Sequence, residues 1–376
     1  MSTYQYYEFQ AIDRPLSTQE QQVMQSLSSR AQVTPHQASF VYHYGDFRGR
    51  PEELVAQYFD AMLYMATWGT RHLILRFPKP LVDPAWFSPY TVEDVIEVST
   101  TAQHLILHIT LDQELGGGWL EGEGWLPQLL PLRAEVMNGD LRLLYLAWLQ
   151  GVANLAHDED SDSDGAHACE PPVPPNLGNL SDALSAFVEW VELDVDLVNA
   201  AAQASPQPAQ PRDIPPLEDL IPQLSATEQR EFLVKLVHRE PHVDLQLINR
   251  LKELAGGHPM TISAAPGRRT YPTLMAMAHD LKAQRTQSAA AAAHQERLQY
   301  LEDLARREAQ TWDRVMDLIQ VKQAYAYDEA TRLLKDLRDL AQHQGRKDEF
   351  VRRLNRLKET YSNRPALQRR FKAIKI

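Results

Sequence analysis

The first 150 residues switch repeatedly between a two-residue and a three-to-four-residue hydrophobic period. Residues 4–12, YQYYEFQAI, are aromatic-rich and partly alternating, which predicts a first strand. Ser17 and Glu20 have capping-box spacing, so a short helix to about Ser29 is expected. Residues 39–44, SFVYHY, predict a second strand. From Pro51, Leu54, Tyr58, Met62 and Met65 recur at helical spacing, and Gly69 is placed to end that helix. Pro51 suits a first turn, where Glu52 and Glu53 complement the positive helix end. RHLILRF follows as a strand. Residues 95–111, VIEVSTTAQHLILHITL, predict a hairpin turning at Thr100–Gln103. Residues 125–150 are apolar at helical spacing and interrupted near Asn138–Gly139. Interleaved strands and helices predict an α+β fold class, a small N-terminal sheet with packed helices.

The pattern then becomes all-helical. Residues 181–192 and 194–204 read as a helical pair. Ser225 and Glu228 form a second capping box, opening a helix that carries Phe232, Leu233, Leu236 and Val237. A further helix covers 243–255. From about 272 nearly everything is helical, with Leu298, Leu301, Ala305, Trp312, Val315 and Ile319 on one stripe. Gly345 separates segments 328–343 and 347–361, which predicts a helical hairpin or bundle.

Composition divides the chain. HDEDSDSDGAHACE and the following PPVPP read as an acidic, proline-rich linker over 157–179. A second proline-rich break covers 205–216. The expected organisation is an α+β domain at 1–156, a helical middle module at 180–258 and a basic helical arm at 270–376. The net charge of −12 is unevenly spread: residues 281–376 carry +8 and residues 1–280 carry −20. Such asymmetry bears on partners rather than fold. One cysteine, Cys169, excludes an intrachain disulfide and a cysteine-rich zinc module. No apolar run reaches the roughly 18 residues that span a bilayer. A cytoplasmic, non-membrane protein is expected.

Candidate chemistry is sparse. Asp160, Asp162, Asp164 and Gly165 match the first half of a calcium loop, but Pro171 stands where the bidentate glutamate belongs. A solvated tether is the simpler reading. His157, His167 and Cys169 are soft-metal donors on the same tether. Gly116–Gly118 lacks the lysine and hydroxyl of a phosphate loop. Asp112, Glu114, Glu121 and Glu123 would form a carboxylate site only if held close. His104 and His108, about 13 Å apart on a strand, are too distant to share a metal and read as edge or surface residues. GxSxG, HExxH and CxxC are absent. No cofactor, metal or catalytic residue is therefore assigned.

The basic C-terminus offers the clearest candidate binding residues: Arg352, Arg353, Arg356, Lys358, Arg369, Arg370 and Lys372. Guanidinium groups suit carboxylates and phosphates alike. They also suit the wet face of a helix whose apolar side is Phe350, Leu354, Leu357 and Tyr361, or docking on the acidic body.

YYEFQAIDRPL, WGTRHLILRFP at 68–78 and GWLPQLLPLRAEVMNGDLRLLYLAWL at 124–149 resemble a family of uncharacterised bacterial proteins. PPVPPNLGNLSDAL and EFVRRLNRLKETYSNRPALQRRF extend the resemblance over most of the chain. It implies a bacterial, cytosolic origin and transfers no activity. The expected function is that of a non-enzymatic interaction or scaffold protein with another protein as partner. Alternatives are a nucleic-acid-binding accessory protein using the C-terminal helices, and an unfamiliar metal-dependent enzyme built on residues 112–123.

Overall fold

The computed structural model describes residues 4–112, 122–157, 169–206, 216–255 and 269–374. The chain is α+β, with a seven-stranded antiparallel sheet near the N-terminus and a long helical C-terminal region. The strands are β1 (Gln5–Gln10), β2 (Gln32–Val33), β3 (Gln37–Tyr42), β4 (Ala61–Ala66), β5 (Thr70–Pro78), β6 (Ile96–Thr100) and β7 (His104–Asp112), in the order β2-β3-β1-β4-β5-β7-β6. The expected hairpin is present, its turn closed by the Thr101 amide on the His104 carbonyl at 2.9 Å.

One strand overturns an expectation. Helix α2 covers only Pro51–Gln57, and Ala61–Ala66, read above as helix, is a central strand between β1 and β5. Leu63 and Met65 face one core while Met62 and Tyr64 face the other. A strand buried on both sides loses its two-residue alternation, and AMLYMA then fits either period. Gly69, with φ of +107°, turns the β4–β5 hairpin instead of capping a helix.

Helices cover both faces of the sheet. Helix α1 (Thr18–Leu27), with both halves of its capping box formed, and α2 bury Met24, Leu54 and Val55 against Phe9, Phe40, Met62, Ile74 and Ile106. The opposite face packs Leu63, Leu73, Leu75, Leu105 and Leu107 against α3 (Trp125–Leu129), α4 (Pro131–Met137) and α5 (Arg142–His157). Helices α6 (Asp182–Trp190) and α7 (Val195–Ala202) put Leu184, Phe187, Trp190 and Leu197 into that same core. So does the start of α11 (Tyr271–Arg306), through Tyr271, Leu274 and Ala278. The chain thus forms one compact unit to Lys282 and a second from Ala283.

Part of the expected linker is packed. Glu170 is 1% exposed and accepts both the Tyr145 hydroxyl and a fork of two Arg269 hydrogen bonds at 2.6 and 2.7 Å. The Tyr90 hydroxyl donates to the Pro172 carbonyl at 2.7 Å. The partner of Glu170 lies 99 residues away, so composition alone could only read this stretch as solvated. Asp160, Asp162, Asp164 and His167 lie outside the described residues.

The second unit is a bundle of α12 (Glu308–Val321), α13 (Ala324–His343), α14 (Lys347–Thr360) and α15 (Pro365–Phe371). Trp312, Val315, Ile319, Leu334, Leu354, Leu367 and Phe371 form its core. Gly345, with φ of +69°, makes the turn between α13 and α14, as its spacing predicts. No helix among the described residues is long and apolar enough to cross a membrane.

Candidate interaction surface

The most unusual surface belongs to α9 (Ala226–Val237), which follows α8 (Leu217–Leu220) and precedes α10 (Val243–Leu254). Ser225 and Glu228 cap α9 reciprocally, so its start is fixed by its own sequence. Its side toward α10 is polar. Glu228 pairs with Arg250 at 2.9 Å, and the Lys235 ammonium donates to Gln246 at 2.9 Å while lying 5.5 Å from the Phe232 ring centre. The apolar side points outward. Leu233 is 63% exposed, Leu236 53%, Val234 45% and Val237 80%. No residue of α9 is buried. A surface helix normally turns its apolar stripe to the core. A contiguous exposed cluster of large aliphatic side chains marks an interaction site.

The hairpin that carries this face has its own small core, Leu220, Leu224 and Leu251, with Leu247 and Leu254 packed against it. It is also pinned to the sheet. The His242 imidazole, at the start of α10, lies 2.9 Å from an Asp13 oxygen. Asp13 in turn receives two hydrogen bonds from Arg133, at 2.8 and 2.7 Å. Arg133 donates its Nε to the Arg76 carbonyl at 2.6 Å, and Arg76 pairs with Asp60 at 2.7 Å. Asp60 also accepts the Ile12 and Asp13 amides at 2.6 and 2.9 Å. Burial alone would raise the Asp13 carboxyl, but His242 and Arg133 overcome it and hold that group well below the usual carboxylate range. With their oxygens so occupied, these carboxylates hold the fold together and leave little capacity to bind anything else.

A second polar cluster crosses the sheet beside α2. The Tyr7 and Tyr64 rings meet at a tilt of 30° with centres 4.4 Å apart, and His72 faces His108 at 5.7 Å. His108 is 8% exposed and lies 3.1 Å from the Ser99 hydroxyl, so it is no edge residue: β7 runs between β5 and β6. Burial, with His108 adding to it, pushes the His72 imidazole down to about 3, and burial lowers His108 as well. The His72 Nε2 is buried without a hydrogen-bond partner. An apolar cleft of about 620 Å³ lies between α6, α7 and residues 177–180. It has the volume of a ligand pocket.

The basic C-terminal residues divide into two sets. Arg353 lies over the Trp312 ring at 4.1 Å, and Arg370 forks onto Asp328 at 2.5 and 3.1 Å, so both serve the bundle itself. Lys358 is half-buried. Arg352, Arg356, Arg369 and Lys372 are exposed. Of the acidic candidates, Asp112 accepts the Thr70 hydroxyl at 2.5 Å and Glu123 is exposed, while Glu114 and Glu121 lie outside the described residues. Cys169 is exposed, and His167 lies outside the described residues. Among the described residues no group of three or more His, Cys, Asp or Glu side chains is placed to hold a metal ion.

The α9 surface escapes a sequence reading because helical spacing finds an apolar stripe without saying which way it faces. The available signal was the opposite side of the same helix, where Glu228 and Lys235 have partners in α10. No family model matches the chain, and neither does a curated protein or a solved structure.

Proposed function

We propose that this is a cytoplasmic, non-enzymatic bacterial interaction protein that joins a multi-protein system through α9. The supporting observation is the inverted helix: Leu233, Leu236 and Val237 face solvent while Glu228 and Lys235 face the body. Exposing this much aliphatic surface is unfavourable for a free monomer by about 25 cal/mol per Å². A partner that covers it recovers that energy. A photo-crosslinking amino acid at Val237 is expected to give one discrete protein adduct in expressing cells, lost on Leu233→Asp. Adduct-free protein, or an adduct indifferent to Leu233→Asp, sinks the proposal.

A second reading, nucleic-acid binding, draws on exposed Arg352 and Arg356, which sit one turn apart on α14. It predicts binding at about 50 mM salt that weakens steeply as salt rises. Arg352→Glu with Arg356→Glu should abolish it. Unchanged fluorescence anisotropy of labelled DNA and RNA at low salt removes this reading.

A further inference from the structure

We propose that the cleft between α6, α7 and residues 177–180 binds a small amphipathic amine, with its apolar body on the cleft floor and its ammonium at Glu189. This site does not depend on the reading of α9 as an interaction surface. The cleft has a volume of about 620 Å³, within the range of small-molecule sites. Its floor is Leu177, Val188, Leu193 and Val198, all buried. Such sites combine a mainly apolar lining with a few polar groups that fix the ligand's orientation.

The end of α6 builds both floor and rim. The Leu193 amide donates to the Val188 carbonyl at 3.0 Å and the Glu192 amide to the Glu189 carbonyl at 3.1 Å, the hydrogen-bond pattern of a Schellman cap. That cap gives the cleft Val188 and Leu193 below and Glu189 and Glu192 at the rim, where both glutamates are exposed. The two carboxylates are not equivalent. Glu192 takes the position where such a cap favours glycine, with φ of +56°. Buried Arg71 holds it there, donating to its Oε1 at 2.6 Å and to the Trp190 carbonyl. Glu192 is thus neutralised from behind. Among the described residues, none pairs with the Glu189 carboxylate, and no basic side chain lines the cleft. The positive end of α7 offers no place to an anion, because Asp194 already caps it. The cleft therefore carries one uncompensated negative charge beside an apolar floor. A carboxylate ligand would be repelled by it, and a purely apolar ligand would leave it unanswered. An ammonium on an apolar body satisfies both surfaces, and a hydrogen bond between two charged groups is the stronger kind.

The test is calorimetric titration of the full chain at neutral pH with three ligands of one shape: phenylbutylamine, phenylbutanol and phenylbutyrate. The amine is expected to bind saturably at one site, and the alcohol about tenfold more weakly, since the charged hydrogen bond is lost. The carboxylate should bind more weakly still. Glu189→Gln should bring the amine down to the level of the alcohol and leave the alcohol unchanged. Glu189→Lys should invert the order, so that phenylbutyrate binds best. Ser185 lines the cleft one helical turn before Glu189 and is exposed, so Ser185→Trp should fill the cleft and abolish binding of all three ligands. Unchanged thermal unfolding of the variants separates loss of binding from loss of fold. A wild type without saturable amine binding, an alcohol or carboxylate that binds as tightly as the amine, or amine binding that is indifferent to Glu189→Gln or Ser185→Trp each overturn the proposal.

Discussion

Arg133→Met is expected to destabilise the N-terminal unit by about 3–5 kcal/mol, the cost of breaking a buried ion pair and leaving its partner uncompensated. Arg133 is 2% exposed and holds three roles at once. It neutralises Asp13 through two hydrogen bonds, lies 3.6 Å from Asp60, and satisfies the Arg76 carbonyl. Methionine fills much of the volume but removes every donor. Lysine keeps the charge without the planar fork and should recover only part of the loss. Denaturant unfolding followed by hydrogen exchange in β1, β4 and β5 isolates this unit from the helical bundle. The deficit should also depend on pH. The Asp13 carboxyl is depressed in the folded state, so its contribution is present above the unfolded value of about 4 and is lost as pH falls below it. The variant has less of that contribution to lose, and its deficit should narrow in acid. A deficit below about 1 kcal/mol, or one that widens in acid, would mean that the network is not what ties these segments together.

That network also explains which parts of the fold are legible in the sequence. Features decided within a few residues can be read directly: the two capping boxes at Ser17 and Ser225, the β6–β7 hairpin, the break at Asn138–Gly139 and the turn at Gly345. The basic arm is expected from residue 270, and the second compact unit begins at Ala283. Features decided across the fold cannot be read this way. β4 resembles a helix because both of its faces are buried. Asp13 and Arg133 are 120 residues apart, and Glu170 and Arg269 are 99 apart, so neither pair leaves a local trace. The α9 surface is hard to read from sequence for a related reason. Arginine-rich helices draw attention by composition, yet Arg353 and Arg370 already have partners on the surface of the bundle, Trp312 and Asp328. The aliphatic side chains of α9 look like core until α10 is seen to occupy the polar side.

His72 is expected to give a large pH effect in acid. Its imidazole is pushed down to about 3 by burial and by His108, against an ordinary value near 6.5. Between those two values the unfolded chain binds a proton that the folded chain refuses. Stability therefore falls as pH drops from 6.5 toward 3, by about 1.4 kcal/mol per pH unit for that one proton. By pH 4 the loss reaches roughly 3 kcal/mol. His72→Phe keeps a ring of similar size at that point of the sheet and removes the titration. It also removes an Nε2 buried without a partner, so the variant should be at least as stable as the wild type at pH 7. The two stability curves should meet or lie close at neutral pH and separate in acid, with the variant increasingly the more stable. His108 remains in both proteins, and its own lowered imidazole contributes an acid loss to each. Curves that stay parallel from pH 7 to 4 would show that the folded protein accommodates a charged imidazole at this position, and that the His72–His108 pair is open to protons rather than closed to them.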